Sequence, residues 1–272
     1  MQPFLKWPGG KRWLISNYHE IFPTKYNAYF EPFLGGGSSF FYLEPQKAII
    51  ADINGELINT YQIMAKKPKQ LRALLEKHQN NHCENYYYTV RNERPIDTVA
   101  RAARFLYLNR TCFNGMYRVN RDGVFNVPIG TRDNFTEDVL LFEEYSHILQ
   151  NAKIRTQDFV VTIREANMGD FVFADPPYTI AHNQNSFIKY NEKLFSWKDQ
   201  MRLLNALTKA RDRGVIIIST NASYPQLQQL YENHGFFTKT LNRFSSISGT
   251  SNGRGKQQEL LITSYPINIK QK

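Results

Sequence analysis

Cysteine is scarce in this chain: only Cys83 and Cys112 carry a thiol in 272 residues. Neither sits in a metal-ligand spacing, and two thiols build no disulfide framework. That excludes zinc modules and disulfide scaffolds and makes a reducing cytoplasm the expected setting. Long apolar runs are missing too. No window approaches the roughly 18 residues a membrane helix needs. The opening stretch MQPFLKWPGGKRW lacks the apolar segment of a secretory signal. A soluble protein with no membrane partner is expected. Acidic residues are in deficit, 24 against 34 basic ones, which leaves a net charge of +10. Such an excess favours a polyanionic partner, because each neutralised phosphate releases condensed counterions; solubility alone also accounts for a basic surface. No Gly-Lys-Ser/Thr follows the chain's glycine cluster, which removes a Walker-type phosphate site.

What is plentiful is apolar and aromatic. Hydrophobic residues reach 42%, enough for a sizeable core, and 19 Phe and 16 Tyr supply rings for that core or for stacking on bases. Four short apolar runs end in polar or acidic residues: 29–31, 48–52, 171–175 and 215–219. Continuous rather than alternating apolar character predicts strands buried on both faces, as in a parallel sheet. Helical spacing covers about 55–65 and 198–211, the latter with Met201, Leu204 and Leu207. Strand–helix alternation of this kind reads as a doubly wound α/β fold.

The middle of the chain differs. Residues 69–80 (Leu71, Leu74, Leu75, His78) and 97–109 (Val99, Ala102, Ala103, Leu106) follow helical spacing. The same stretch holds Arg91, Arg94, Arg101, Arg104, Arg110, Arg118, Arg121 and Arg132. No βαβ unit is evident between 66 and 149. The expectation is one sheet domain built from 1–65 plus 150–272, interrupted by a largely helical module over 66–149. Residues 243–256, RFSSISGTSNGRGK, predict a basic Ser/Gly-rich loop.

Two motifs carry chemistry. The turn Phe33-Leu34-Gly35-Gly36-Gly37-Ser38 follows one expected strand, and Asp52 ends the next. Glycines let a backbone approach a ligand closely, and an acid at that place can accept ribose hydroxyls; an ordinary tight turn and a helix-capping Asp would look the same. Sharper is Asp175-Pro176-Pro177-Tyr178, placed at the strand end where open α/β sheets bind ligands. The Asp175 carboxylate and the Pro176 carbonyl can accept the two hydrogens of an amino group, aiming its nitrogen lone pair at an electrophile. Paired prolines stiffen the turn, and Tyr178 offers a ring for a base held out of its helix.

Here the chain resembles a known family, the Dam-type N6-adenine DNA methyltransferases of the alpha group (D12 class), including those of GATC restriction–modification systems. The likeness rests on Phe4–Lys11 (FLKWPGGK), Glu31–Gly37 (EPFLGGG), Ala51–Asn54 (ADIN), Leu108–Asn120 (LNRTCFNGMYRVN), Phe125–Pro128 (FNVP) and Asp175–Tyr178 (DPPY). It implies a Rossmann-like S-adenosylmethionine-dependent sheet with a target-recognition insertion, and transfer of a methyl group to a flipped adenine of duplex DNA. Trp7, Lys11, Asp52 and Asp175 would contact S-adenosylmethionine, Phe33 and Gly35 would line its pocket, and Asp158-Phe159 would lie beside its adenine. Asp175, Pro176, Pro177 and Tyr178 would form the catalytic turn. Arg118 would read a guanine from a hairpin within Asn109–Pro128, with Asn114, Met116 and Asn120 beside it and Lys6 near the target. Arg110, Arg121, Arg254 and Lys256 would hold DNA phosphates. No metal is implied. A cognate restriction endonuclease sharing the site fits the resemblance, without being an obligate partner.

Within this family GATC is the favoured site and GATATC the alternative. The sequence departs from many relatives at Pro8, and Thr179–Lys193 matches only loosely. Cytosine C5 methylation is disfavoured because neither cysteine follows a proline. N4-cytosine enzymes more often carry Ser where Asp175 stands. An RNA or protein amide methyltransferase is a further alternative, against which the basic hairpin argues. A binding module with a decayed site is disfavoured by the complete set of active-site residues.

Overall fold

The computed structural model describes residues 1–120, 123–178, 195–244 and 256–267. The expected phosphate contacts Arg121 and Arg254, the stretch 179–193 and most of the basic loop (245–255) lie outside the described residues. In chain order the elements are α1 (Arg12–Tyr18), β1 (Tyr29–Glu31), α2 (Ser38–Leu43), β2 (Ala48–Asp52), α3 (Gly55–Lys66), α4 (Pro68–Asn80), α5 (Glu84–Asn92), α6 (Thr98–Thr111), α7 (Phe142–Gln150), β3 (Ala152–Thr156), α8 (Phe159–Arg164), β4 (Phe171–Ala174), α9 (Trp197–Asp212), β5 (Ile216–Ala222), α10 (Pro225–Asn233), β6 (Phe237–Phe244) and β7 (Lys256–Thr263). The fold is α/β and Rossmann-like, with a helical insertion, and its strand order is β3-β2-β1-β4-β5-β7-β6. The chain divides into two compact units. One comprises Met1–Arg12, Leu34–Gln46 and Ala51–Thr156; the other comprises Trp13–Phe33, Lys47–Ile50 and Gln157–Lys272.

In the second unit β1 pairs in parallel with both β2 and β4, and β4 with β5. β7 enters antiparallel beside β5, and β6 pairs antiparallel with β7. The apolar run of β4 explains its central place, since all four residues are buried. Phe30, Val172, Ala174 and Ile217 belong to a buried cluster with Ile163, Leu204 and Leu207 of α8 and α9. The alternate residues Tyr29, Phe171 and Phe173 meet Phe22 and Tyr26 instead. Successive side chains of a strand point to opposite faces, so a strand covered on both sides must be apolar throughout. α9 begins with a capping box: Ser196 Oγ accepts from the Asp199 N–H at 3.2 Å while Asp199 accepts from the Ser196 N–H at 3.1 Å. The strand order reverses between β1 and β4. That switch places Glu31–Phe33 and Asp175–Tyr178 at neighbouring carboxyl ends, the usual ligand edge of an open sheet.

In the first unit α3, α4, α6 and α7 pack on one another around Leu57, Tyr61, Leu75, Leu106, Tyr107 and Phe142. Each start has a local cause. Asn54 caps α3 by accepting from the Glu56 and Leu57 N–H groups, both at 3.1 Å. Asp97 caps α6 through the Ala100 N–H at 2.8 Å. Beyond α6 the chain turns through Phe113–Gly115 into a loose hairpin. Its two isolated bridges join Val119 to Phe125 and Cys112 to Ile129. The expected hairpin span of Asn109–Pro128 therefore begins later, because Asn109–Thr111 form the last turn of α6.

Candidate active site and nucleic-acid interface

In the first unit the glycine turn closes on Asp52 and Trp7. The Gly35 N–H donates to Asp52 Oδ2 at 3.1 Å, and the Asn54 N–H donates to Asp52 Oδ1 at 3.0 Å. Leu34 N–H donates to Ala51 O at 2.9 Å, which ties the turn to the end of β2. Desolvation pushes the Asp52 carboxyl above its ordinary range, against the pull of these backbone donors. Gly35 has φ 47°, and a Cβ there would lie 2.7 Å from Trp7 Cδ1. Only glycine fits such a left-handed position against an indole. Lys11 is buried and donates from Nζ to Gly9 O at 2.8 Å. Thus Trp7, Gly35 and Asp52 are brought together as expected of a cradle for a ribose-bearing ligand. A carboxylate with fixed orientation and a glycine edge match what S-adenosylmethionine requires.

In the second unit the Phe33 ring stacks on Phe159 with centroids 5.1 Å apart. Asp158 caps α8 through the Val160 N–H at 2.9 Å and pairs with Arg202 at 2.8 Å. The Arg202 guanidinium lies over the Phe159 ring, 4.9 Å from its centroid. A flat apolar slab beside an oriented carboxylate suits a heterocycle with an amino edge. Asp175 follows β4 directly, and Thr220 Oγ1 donates to its Oδ1 at 2.6 Å. Pro176 is buried and Pro177 exposed. The Tyr178 hydroxyl donates to Glu259. Burial first, then Asp175 and Glu259, raise the Tyr178 phenol well above its ordinary value, so it stays a donor at neutral pH.

The sequence did not single out Thr220, Glu259 or Arg202. Thr220 continues a recognised strand, so its place at that strand's end was available. Glu259 needed the pairing of β5 with β7, which no local pattern announces.

The residues expected to read DNA lie in the first unit. Asn114 has φ 56° and Gly115 φ 62°, two consecutive left-handed residues that turn the chain sharply. Phe113, Asn114, Met116, Arg118 and Asn120 are exposed, as is Lys6, whose stem covers Gly115. Arg118 Nε donates to Asn126 Oδ1 at 2.9 Å, and Asn120 Oδ1 accepts from the Val124 N–H at 2.9 Å. Arg110 is a correction. Expected at a DNA phosphate, it is buried, paired with Asp138, and donates to Phe135 O at 2.8 Å and Phe4 O at 3.1 Å. Its charge is consumed inside the unit, where leaving Asp138 or those carbonyls unpaired is costly.

Among the described residues no group of His, Cys, Asp and Glu is placed to hold a metal, and no helix is long and apolar enough to cross a membrane. The family model described as D12 class N6 adenine-specific DNA methyltransferase matches residues 7–247. The chain is 40% identical over 274 residues to the type II methyltransferase M1.LlaDCHI of Lactococcus lactis subsp. cremoris, covering 97% of this chain and 96% of that protein. It is 34% identical over 290 residues to the type II methyltransferase M.MjaIII of Methanocaldococcus jannaschii, covering 97% and 99%. With a DNA adenine methylase of Vibrio cholerae it shares 30% over 270 residues, covering 97% and 96%.

Proposed function

Since the chain belongs to the D12 class of N6-adenine-specific DNA methyltransferases, and is thus an S-adenosylmethionine-dependent enzyme methylating adenine N6 in DNA, we propose that it acts on duplex DNA at GATC. The observation that carries the catalytic assignment is Asp175 at the end of β4, oriented by Thr220 within Asp-Pro-Pro-Tyr. An adenine amino nitrogen is a poor nucleophile because its lone pair is delocalised into the ring. Asp175 accepts one amino hydrogen and the Pro176 carbonyl the other, which favours a lone pair aimed out of the ring plane. Tyr178 stacks on the flipped base, its hydroxyl held by Glu259. S-adenosylmethionine supplies an electrophilic methyl on a sulfonium. By the family resemblance, Trp7, Lys11, Gly35 and Asp52 would hold it, as would Phe33, Asp158 and Phe159. Positioning and fixed dipoles accelerate the step, with no covalent enzyme intermediate.

Residues 1–65 plus 150–272 are the catalytic domain in this reading, and 66–149 the reading module. Arg118 gives bidentate bonds to a guanine, Met116 and Asn114 meet the neighbouring bases, and Lys6 and Asn120 flank them. Support for GATC is the likeness of Asn109–Pro128 to the Dam-type hairpin, with these side chains exposed. A reducing cytoplasm is its setting, where an endonuclease cutting the same site is a natural counterpart. The test is transfer of radiolabel from S-adenosylmethionine to duplexes carrying GATC, GATATC or neither. Label in the GATC duplex alone is expected. Label confined to GATATC keeps the enzyme and moves the site, and label on neither rejects the DNA assignment.

A further inference from the structure

Side chains of the segment 116–120 alternate: Met116, Arg118 and Asn120 are exposed, whereas Tyr117 and Val119 are half-buried. An extended chain points neighbouring residues to opposite sides, so the turn that sends Arg118 outward sends Tyr117 inward. The N-terminal segment repeats the pattern, with Lys6 exposed and Trp7 half-buried. The two inward rings stack, with centroids 5.2 Å apart and planes 20° off parallel. Phe105 backs both, 5.1 Å from Tyr117 and 6.4 Å from Trp7.

The N-terminal segment is anchored to α6. Buried Asn109 accepts from the Lys6 N–H at 3.0 Å and donates to Lys6 O at 2.8 Å, so the backbone of Lys6 is held from both sides. The indole also lies close against Gly35, whose N–H donates to Asp52. Tyr117 does have room: it borders a cleft of about 180 Å³ lined also by Phe105, Leu108, Val119 and Phe125. Movement of the turn therefore changes how the Tyr117 ring meets Trp7, and through Trp7 the Gly35–Asp52 cradle.

We propose that Tyr117 is a positioning residue that links the reading of the target sequence by Arg118 to the methyl-donor cradle through its stack on Trp7. The proposal rests on the reading of Trp7, Gly35 and Asp52 as donor contacts and of Arg118 as a base reader. Correct engagement of Arg118 fixes the turn, Tyr117 then seats against Trp7, and the cradle tightens on the donor. Linkage makes the effect reciprocal: bound donor sharpens discrimination between the target and a near-target.

The test is the affinity for S-adenosylmethionine measured by calorimetry alone, with a GATC duplex, and with a duplex changed at one base pair. If the transfer assay labels GATATC, that duplex takes the place of GATC. In the unsubstituted protein the cognate duplex is expected to tighten donor binding more than the altered one. Tyr117→Leu keeps apolar volume but removes the stack, and is expected to reduce that difference about three- to tenfold. Tyr117→Phe keeps the ring and is expected to retain it. Cognate-dependent tightening that survives Tyr117→Leu overturns the proposal, as does equal loss in Tyr117→Phe or absence of tightening in the unsubstituted protein. A protein that bound no S-adenosylmethionine at all would instead remove the donor reading beneath it.

Discussion

Replacing Gly35 by alanine should damage the proposed donor cradle by an amount the structure lets one work out. Gly35 has φ 47°, and a left-handed backbone costs an L-residue roughly 1–2 kcal/mol. The new Cβ would lie 2.7 Å from Trp7 Cδ1 and 2.9 Å from Nε1, far inside ordinary contact. The indole cannot swing away freely, since Tyr117 stacks on it at 5.2 Å and Phe105 stands behind. Overpacking of that kind costs about 1–3 kcal/mol. The two together give about 2–5 kcal/mol, divided between fold stability and donor binding. Urea unfolding and calorimetry with S-adenosylmethionine would separate the shares. The clash can be isolated by repeating Gly35→Ala in a Trp7→Ala background, where only the backbone cost remains. Gly35→Ala should then cost about 1–3 kcal/mol less than in the parent. Equal costs in both backgrounds would refute the idea that the indole sets the requirement for glycine.

Three further outcomes follow from named contacts. Asp175→Ala should lower methyl transfer by on the order of 10²–10³ while DNA affinity stays within about twofold; transfer at near the parent rate would remove Asp175 from the chemistry. Arg118→Ala should cost about 1–3 kcal/mol at one base pair of the site, read by competition among single-base variants, whereas a uniform loss on all sequences would make Arg118 a phosphate contact. His78 stacks on Tyr107 and bonds Tyr86, and burial, with Lys77 nearby, lowers its pKa from 6.5 to about 4. The unfolded chain takes up this proton first, so stability present above pH 6.5 should be lost as pH falls towards 4, by up to about 3 kcal/mol. His78→Gln should flatten that limb in thermal melts, and an unchanged acid limb would acquit His78.

The legible parts of the fold are those where one local pattern suffices. Strands buried on both faces announce themselves as unbroken apolar runs, so β1, β2, β4 and β5 are visible in the sequence, and helical spacing marks α3, α4, α6 and α9 to within a residue or two. β3 (AKIRT), β6 (FTKTLNRF) and β7 (KQQELLIT) are not visible, because polar residues interrupt each run. Their pairing is non-local and depends on neighbours the sequence does not name. The motif residues Gly35, Asp52 and Asp175 could be read because a turn and a strand end demand particular residue types. Glu259, which holds Tyr178, could not, since it is an ordinary strand residue until β7 joins the sheet, whereas Thr220, which holds Asp175, continues a strand that the sequence does show. Arg110 shows the opposite failure. An arginine in a basic stretch looks like a phosphate ligand, yet Asp138, 28 residues on, draws it into the interior.

The most direct measurement of the central claim is nucleoside mass spectrometry of unmethylated GATC-bearing plasmid after incubation with the purified protein and S-adenosylmethionine. The account predicts N6-methyladenine as the product, and its loss with Asp175→Ala. N4-methylcytosine as the product, or no modified nucleoside from a protein that binds both the donor and the plasmid, would contradict it.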